Sequence, residues 1–209
     1  MASSIRAVFL DFDGTLVDSE RFHHKAWMTA VENYNAHADW DDYLRRFVGK
    51  TDKWAGETLL SEAGHEATPE RVSEVASKKH AHFREHAVST MMIEGDLQQF
   101  LREDLEHLKL AIVSSSPTRD VSPIVERSGL ADRFEFMVLG EMVSNHKPHP
   151  EPYEQAFDQM SALVPGLNRP ECLVFEDSNS GVASGEAAGL EVIRVSDPDS
   201  LLSLMRGRL

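Results

Sequence analysis

The sequence predicts an α/β fold: a parallel sheet interrupted after its first strand by an inserted helical module. Three observations predict it. Short apolar runs ended by polar or turn residues recur along the chain and alternate with helical stretches, the rhythm of a parallel sheet with right-handed crossovers. The first run, Val8-Phe9-Leu10, drives straight into Asp11-Phe12-Asp13-Gly14-Thr15. Between that run and Gly95 only helical periodicity is found.

The first strand is expected over residues 6–11, because the run is short, branched or aromatic, and closed by a turn signal. Residues 18–92 read as helical throughout. Phe22, Ala26, Ala30 and Val31 recur at helical spacing, as do Val72, Val75, Ala76 and Phe83, and Thr68-Pro69-Glu70 is a helix start. Leu97, Phe100, Leu101, Leu105 and Leu108 then form the apolar stripe of a helix. Residues 110–113 are the second strand, ending in Ser114-Ser115-Ser116-Pro117, and the helix that follows closes at Ser128-Gly129. A third strand is expected over 134–139, a helix over 150–163 and a fourth strand over 172–175 running into Glu176-Asp177. A helix over 178–188 stops at Gly189, a fifth strand covers 192–195, and a short amphipathic helix covers 201–209.

The chain of 209 residues, 41% apolar, is long enough for a substantial core and for one domain carrying an insertion. Its formal charge of −14 argues against nucleic acid and anionic membrane surfaces as main partners. The single cysteine, Cys172, excludes an internal disulfide framework; it lies in an apolar run and reads as buried and inert. No stretch is long and apolar enough to span a bilayer, and Met1 to Arg6 carries no signal-peptide pattern, so a soluble cytoplasmic protein is expected. The oligomeric state is not set by the sequence, and a monomer is compatible with it.

Polar residues recur at the strand ends, which share one edge of a parallel sheet, where ligands of open α/β sheets bind. The first strand ends in Asp11 and Asp13, the second in Ser114 and the fourth in Glu176 and Asp177, while Lys147-Pro148 follows the third. Carboxylates so close repel unless a cation or a proton lies between them, and an oxygen-only ligand set suits Mg²⁺. Carboxylates for a metal, a hydroxyl donor and an ammonium suit phosphoryl transfer, where catalysis is positioning plus charge stabilisation. His146 and His149 flank Lys147 and would suit a transition metal, although the oxygen set favours Mg²⁺. His80, His82 and His86 read as solvated, and Arg119 as either a site residue or a helix cap.

From Val8 to Val195 the chain resembles the haloacid dehalogenase-like superfamily, in its phosphatase and phosphomutase branch. Four motifs carry the resemblance in order: Asp11-Phe12-Asp13-Gly14-Thr15, Ser114, Lys147-Pro148, and Glu176-Asp177 followed by Ser178 and Gly181-Val182. It implies a Rossmann-like core, residues 1–16 and 93–209, with an α-helical cap domain over 17–92. It implies that Asp11 attacks phosphorus to form an aspartyl phosphate, and that Asp13 acts as acid and then base. Mg²⁺ would be held by Asp11, the backbone carbonyl of Asp13 and Asp177, with Glu176 on the metal or just behind it. Ser114 would grip phosphoryl oxygens and Lys147 would pair with Asp11 and the phosphate. Thr15 and Ser115 are further substrate contacts, while helix capping explains one of Ser115 and Ser116 equally well.

In the expected cap, His23 and Trp27 match positions of the β-phosphoglucomutase-like subgroup, though a core Trp27 and a surface His23 explain them equally. Gly49-Lys50-Thr51-Asp52 resembles the cap loop used for specificity. Asp52 stands where the mutase has a phosphate-binding arginine and would repel a second phosphate; Lys50 is the remaining cation there. The expectation is a Mg²⁺-dependent phosphatase acting on a small phosphorylated metabolite, a sugar phosphate first. A sugar phosphomutase is the alternative, followed by a non-catalytic phospho-acceptor protein.

Overall fold

The structure, a computed structural model, describes residues 5–209. Residues 1–4, the start of the expected core segment and of the N-terminal stretch read as lacking a leader, lie outside the described residues. The chain divides into two compact units, Met1–Asp18 with Met92–Leu209, and Ser19–Met91.

The first unit is built on a five-stranded parallel sheet in the order β3-β2-β1-β4-β5. The strands are β1 (Ala7–Leu10), β2 (Lys109–Val113), β3 (Phe134–Val138), β4 (Cys172–Glu176) and β5 (Glu191–Arg194). β1 is buried along its whole length, because neighbours flank both its edges and side chains cover both its faces. That is why it reads as an unbroken apolar run rather than an alternating one. Leu10 lies level with Ile112 of β2 and with Phe175 of β4. This register brings Asp11, Val113 and Glu176 to one level at the carboxyl edge of the three central strands.

The unit's other helices follow the short-sidedness of their sequences. Phe9, Ala111, Val113 and Val174 form one buried cluster with Tyr153, Ala156 and Met160 of the helix Glu151–Leu163. Burying a side chain such as Phe9 stabilises the fold by roughly 1.5–3 kcal/mol. The leucine stripe before β2 departs from expectation: an α-helix holds only over Gly95–Gln99 and widens into a π-turn over Phe100–Asp104, ending before Leu108. The last helix, Pro198–Arg208, begins earlier than the stripe predicts. Asp197 caps it by accepting from the Ser200 N–H at 2.9 Å, and Pro198 suits its first position. Cys172 is buried as expected, and burial pushes its thiol up to about 12.

The second unit is all-helical, with α1 (Glu20–Val31), α2 (Trp40–Arg46), α3 (Asp52–Glu62) and α4 (Pro69–Phe83). Each of the last three starts at a side-chain cap: Asp39, Thr51 and Thr68 accept from Asp42, Trp54 and Arg71 N–H. The core gathers Trp27, Val31, Tyr43, Leu59, Leu60 and Val75. Among the described residues no helix is long and apolar enough to cross a membrane.

One buried hydroxyl fixes the start of the segment leading to β2. Ser128 Oγ accepts from the Ile93 N–H at 2.9 Å and donates to the Ile124 carbonyl at 2.8 Å. Ser128→Ala strands that N–H, and the expected loss is about 1–3 kcal/mol in chemical denaturation. An unchanged midpoint would show that Ile93 does not depend on the bond.

Candidate active site

The carboxyl edge of β1, β2 and β4 carries a buried ionic cluster. Lys147 Nζ donates to Asp11 Oδ1 at 2.7 Å, to Glu176 Oε1 at 3.2 Å and to the Val113 carbonyl at 2.9 Å. All three of its protons are used, one on each of the three central strands or their immediate ends. Lys147 reaches this point across a loop with a cis peptide bond to Pro148, and its ammonium lies 4.9 Å from the centre of the Tyr153 ring. Tyr153 is fully buried beneath it, a partner that no local pattern in the sequence singles out.

One ammonium does not balance the carboxylates around it. Carboxylate oxygens of Asp11, Glu176 and Asp177 all lie within 4.8 Å of one another. Burial, and then the Glu176 charge, hold the Asp11 carboxyl well above the usual range despite Lys147. Burial likewise raises Glu176, with Asp177 adding to the shift against Lys147. Burial opposes the charge on Lys147, but Asp11 and Glu176 outweigh it and raise the ammonium as well. Shifts in one direction for acids and base alike are the mark of a buried site with surplus negative charge. Such a site takes up a proton or a cation, and three convergent oxygen ligands suit a hard divalent ion. The residues present therefore fit a metal, with Asp11, Asp177 and Glu176 as the side chains that would hold it.

The surrounding backbone is shaped to this cluster. Gly14 has φ +81°, and a Cβ there would meet the Asp177 carboxylate. A Cβ on Gly181 would fall on the Glu176 carboxylate. Gly181 belongs to the first turn of the helix Asn179–Ala187, whose cap, Ser178, accepts from the Gly181 N–H at 3.0 Å and donates to Glu176 Oε1 at 3.2 Å. Glu176 is thus clamped by Lys147 on one side and by a helix start on the other.

Asp13 makes a different contact. Its Oδ2 accepts from Ser116 Oγ at 2.5 Å, and its carboxylate is not among the clustered oxygens. As a metal ligand it is left with its backbone carbonyl, the atom the resemblance implies. Ser114, buried at the end of β2, accepts from the Ser116 N–H at 3.0 Å. Thr15 is fully buried and its hydroxyl faces Asp177 Oδ1 at 3.5 Å, so it supports a carboxylate rather than opening a subsite. Ser115 is exposed. Neither Ser115 nor Ser116 caps the next helix: Pro117 holds that position without a side-chain bond, and the Thr118 N–H donates to Glu141 at 2.9 Å.

The remaining expected contacts belong to the helical unit. His23 is buried and stacks on Phe83 at 4.1 Å, and Trp27 is part of the core, so of the alternative reading the core Trp27 holds and the surface His23 does not. Lys50 is exposed, with its ammonium 5.6 Å from the Trp54 ring centre. Asp52 is not a lone repelling charge: Lys79 lies 3.1 Å and His80 2.7 Å from its carboxylate oxygens. Burial opposes its charge, but Lys79 and His80 together hold its carboxyl well below the usual range. His80 is buried on that pair, and His82 is half-buried beside His86, so the reading of these histidines as solvated holds only for His86. His146 and His149 are exposed, and Nδ1 of His149 accepts from the Glu151 N–H at 3.2 Å. Among the described residues neither joins a metal-ligating group. Arg119 is exposed and its charge acts on Glu141.

Comparison with known proteins agrees with this geometry. The family model for haloacid dehalogenase-like hydrolases matches residues 8–195. A phosphorylated carbohydrates phosphatase of Thermotoga maritima is 31% identical over 194 residues, covering 90% of this chain and 84% of that protein. A phosphoglycolate phosphatase of Colwellia psychrerythraea is 27% identical over 192 residues, covering 89% and 82%. A crystal structure of a putative β-phosphoglucomutase, also from Thermotoga maritima, aligns with a TM-score of 0.72 at 22% identity, covering 98% of this chain and all of that one. The last likeness is one of fold.

Removing the ammonium tests the charge balance. Lys147→Met leaves Asp11 and Glu176 facing each other, and raises both carboxyls further. Groups with a raised folded-state pKa bind more protons folded than unfolded, so their unfavourable contribution grows as pH rises through that window. The variant is expected to lose about 3–5 kcal/mol at pH 8 and to recover part of it at about pH 5. Thermal melts of both proteins across this range measure it; a deficit independent of pH would contradict the charge account.

Proposed function

We infer that this chain, which belongs to the haloacid dehalogenase-like hydrolases and to their phosphatases, releases phosphate from a small phosphorylated carbohydrate through an aspartyl-phosphate intermediate. The observation that carries the reading is the buried Asp11–Lys147–Glu176 cluster beside Asp177, with Asp13 set apart from it on Ser116. It separates a carboxylate held for attack from a carboxylate held for proton transfer.

Asp11 supplies an oxygen to phosphorus while the bond from phosphorus to the ester oxygen breaks, its electron pair leaving with that oxygen. Asp13, protonated, gives the leaving oxygen its proton. As a carboxylate it then takes a proton from water, whose oxygen bonds to phosphorus as the Asp11–phosphorus bond breaks. Acid–base help of this kind is worth roughly 10²–10⁴-fold. Ser114, whose oxygen already accepts from the Ser116 N–H, has its own proton to give to a phosphoryl oxygen. Lys147 keeps Asp11 oriented and offsets the charge of the incoming phosphate. A divalent cation, Mg²⁺ in this reading, would rest on Asp11, Asp177, Glu176 and the Asp13 carbonyl, and would draw charge off the phosphoryl group.

The helical unit is assigned the role of cap, the role the resemblance implies for it. The name of the 31% identical relative favours carbohydrate phosphates and hydrolysis over transfer. Repulsion by Asp52 no longer supports that choice, since its charge is paired.

Phosphate release with Mg²⁺ across a panel of sugar phosphates and other esters tests the function, with the primed isomerisation of glucose 1-phosphate as the control for a mutase. Release from one or a few sugar phosphates is the expected outcome; isomerisation without release would overturn hydrolysis. Asp11→Asn should abolish turnover, at least about 10³-fold, while the metal-free protein melts no lower, because a surplus buried charge is gone. Residual release near wild-type rate would remove Asp11 from the reaction. Chelation should stop turnover, and restoring Mg²⁺ should raise the melting temperature of wild type far more than that of Asp177→Asn. Equal shifts in the two proteins would place the ion elsewhere.

A further inference from the structure

We propose that Ser116 is a positioning residue that holds the Asp13 carboxyl in place for proton transfer to the leaving group, an inference that rests on the phosphatase reading above. The hydroxyl of Ser116 lies 2.5 Å from Asp13 Oδ2, across a sequence separation of 103 residues. A bond between two loops at the ends of β1 and β2 ties that carboxyl to a second element of the sheet edge.

The backbone of Ser116 is itself held on both sides. Its N–H donates to Ser114 Oγ at 3.0 Å, and its carbonyl accepts from the Gly140 N–H at 3.1 Å. Pro117 follows, which restricts Ser116 to extended conformations. The hydroxyl is not spent on capping the next helix, because the Thr118 N–H is taken by Glu141. One residue therefore sets two groups at once. Its amide turns the Ser114 proton outward toward a phosphoryl oxygen, and its hydroxyl fixes the atom that exchanges a proton with the ester oxygen. Holding reacting groups within a fraction of an ångström is where much of an enzyme's advantage lies.

A positioning role in acid catalysis has a signature that a general weakening of the site lacks. A sugar phosphate departs as an alkoxide and needs the proton from Asp13. p-Nitrophenyl phosphate departs as a stabilised phenolate and needs little help. kcat/KM reports the step in which this bond breaks. Ser116→Ala is expected to lower kcat/KM for the best sugar phosphate of the panel by about 10-fold or more, and for p-nitrophenyl phosphate by less than about 3-fold. Ser116→Thr, which keeps the hydroxyl, is expected to restore the sugar phosphate value. Equal losses on both substrates, no loss on either, or failure of threonine to restore would overturn the proposal while leaving the phosphatase reading intact. A wild-type protein that releases phosphate from no ester, or an active Asp11→Asn, would overturn that reading and this inference with it.

Discussion

Everything at the carboxyl edge of the sheet depends on one ammonium. Lys147 places its three protons on Asp11, Glu176 and the Val113 carbonyl, and so ties together the ends of β1, β4 and β2. The bond is possible only because the register sets those strand ends level, and because Tyr153 supplies a ring against which a charge can be buried. A buried ion pair of this kind is weak evidence for stability, since desolvation offsets much of the attraction. Its value lies in what it prevents. Without it Asp11 and Glu176 would face each other in low-dielectric surroundings with that counter-charge gone.

Lys147 leaves negative charge over at this edge. Two carboxylates share Lys147 and a third, Asp177, stands beside them. Gly14 and Gly181 remove the side chains that would keep these oxygens apart. The backbone has been made to fit a cluster that repels itself, which makes sense where a cation completes it. Asp13 bonds to Ser116, so the two aspartates of one short motif have different partners.

The sheet and the site edge were legible because each rests on local patterns. Buried strands read as apolar runs, and each run ended in the polar residue that the edge uses: Asp11, Ser114, Glu176. The strand ends differ from the apolar runs by one residue, and the last helix starts three residues before its apolar stripe, at the Asp197 cap. Side-chain pairing was far less legible. Asp52 reads as a lone negative charge until α4 brings Lys79 and His80 to it. The spacing of His80 and His82 shows that these two do not share a face, but not which face is buried. Ser116 looks like a helix cap because serine before a helix usually is one, and only the three-dimensional path of Asp13 shows otherwise. Thr15 likewise belongs to the motif by sequence and to Asp177 by geometry. Contacts between residues far apart in the chain leave no local trace, and in this protein those contacts decide which polar group works and which one supports it.

The strand order has a consequence for how the protein comes into being on the ribosome. β1 emerges first but is central, and its partners β2 and β4 begin at Lys109 and Cys172. The nascent β1, wholly apolar, waits with both edges unpaired until β2 is made, about half-way along the chain. One edge stays unpaired until β4 is made, when more than three quarters of the chain has been synthesised. The four-helix unit emerges complete in that interval and has its own core, so it can fold first, as units do during synthesis. Long-range parallel pairing is slow, and exposed apolar strands aggregate. Any change that lengthens that wait, such as slow codons between Lys109 and Cys172, would act on the yield of this protein without touching its finished structure.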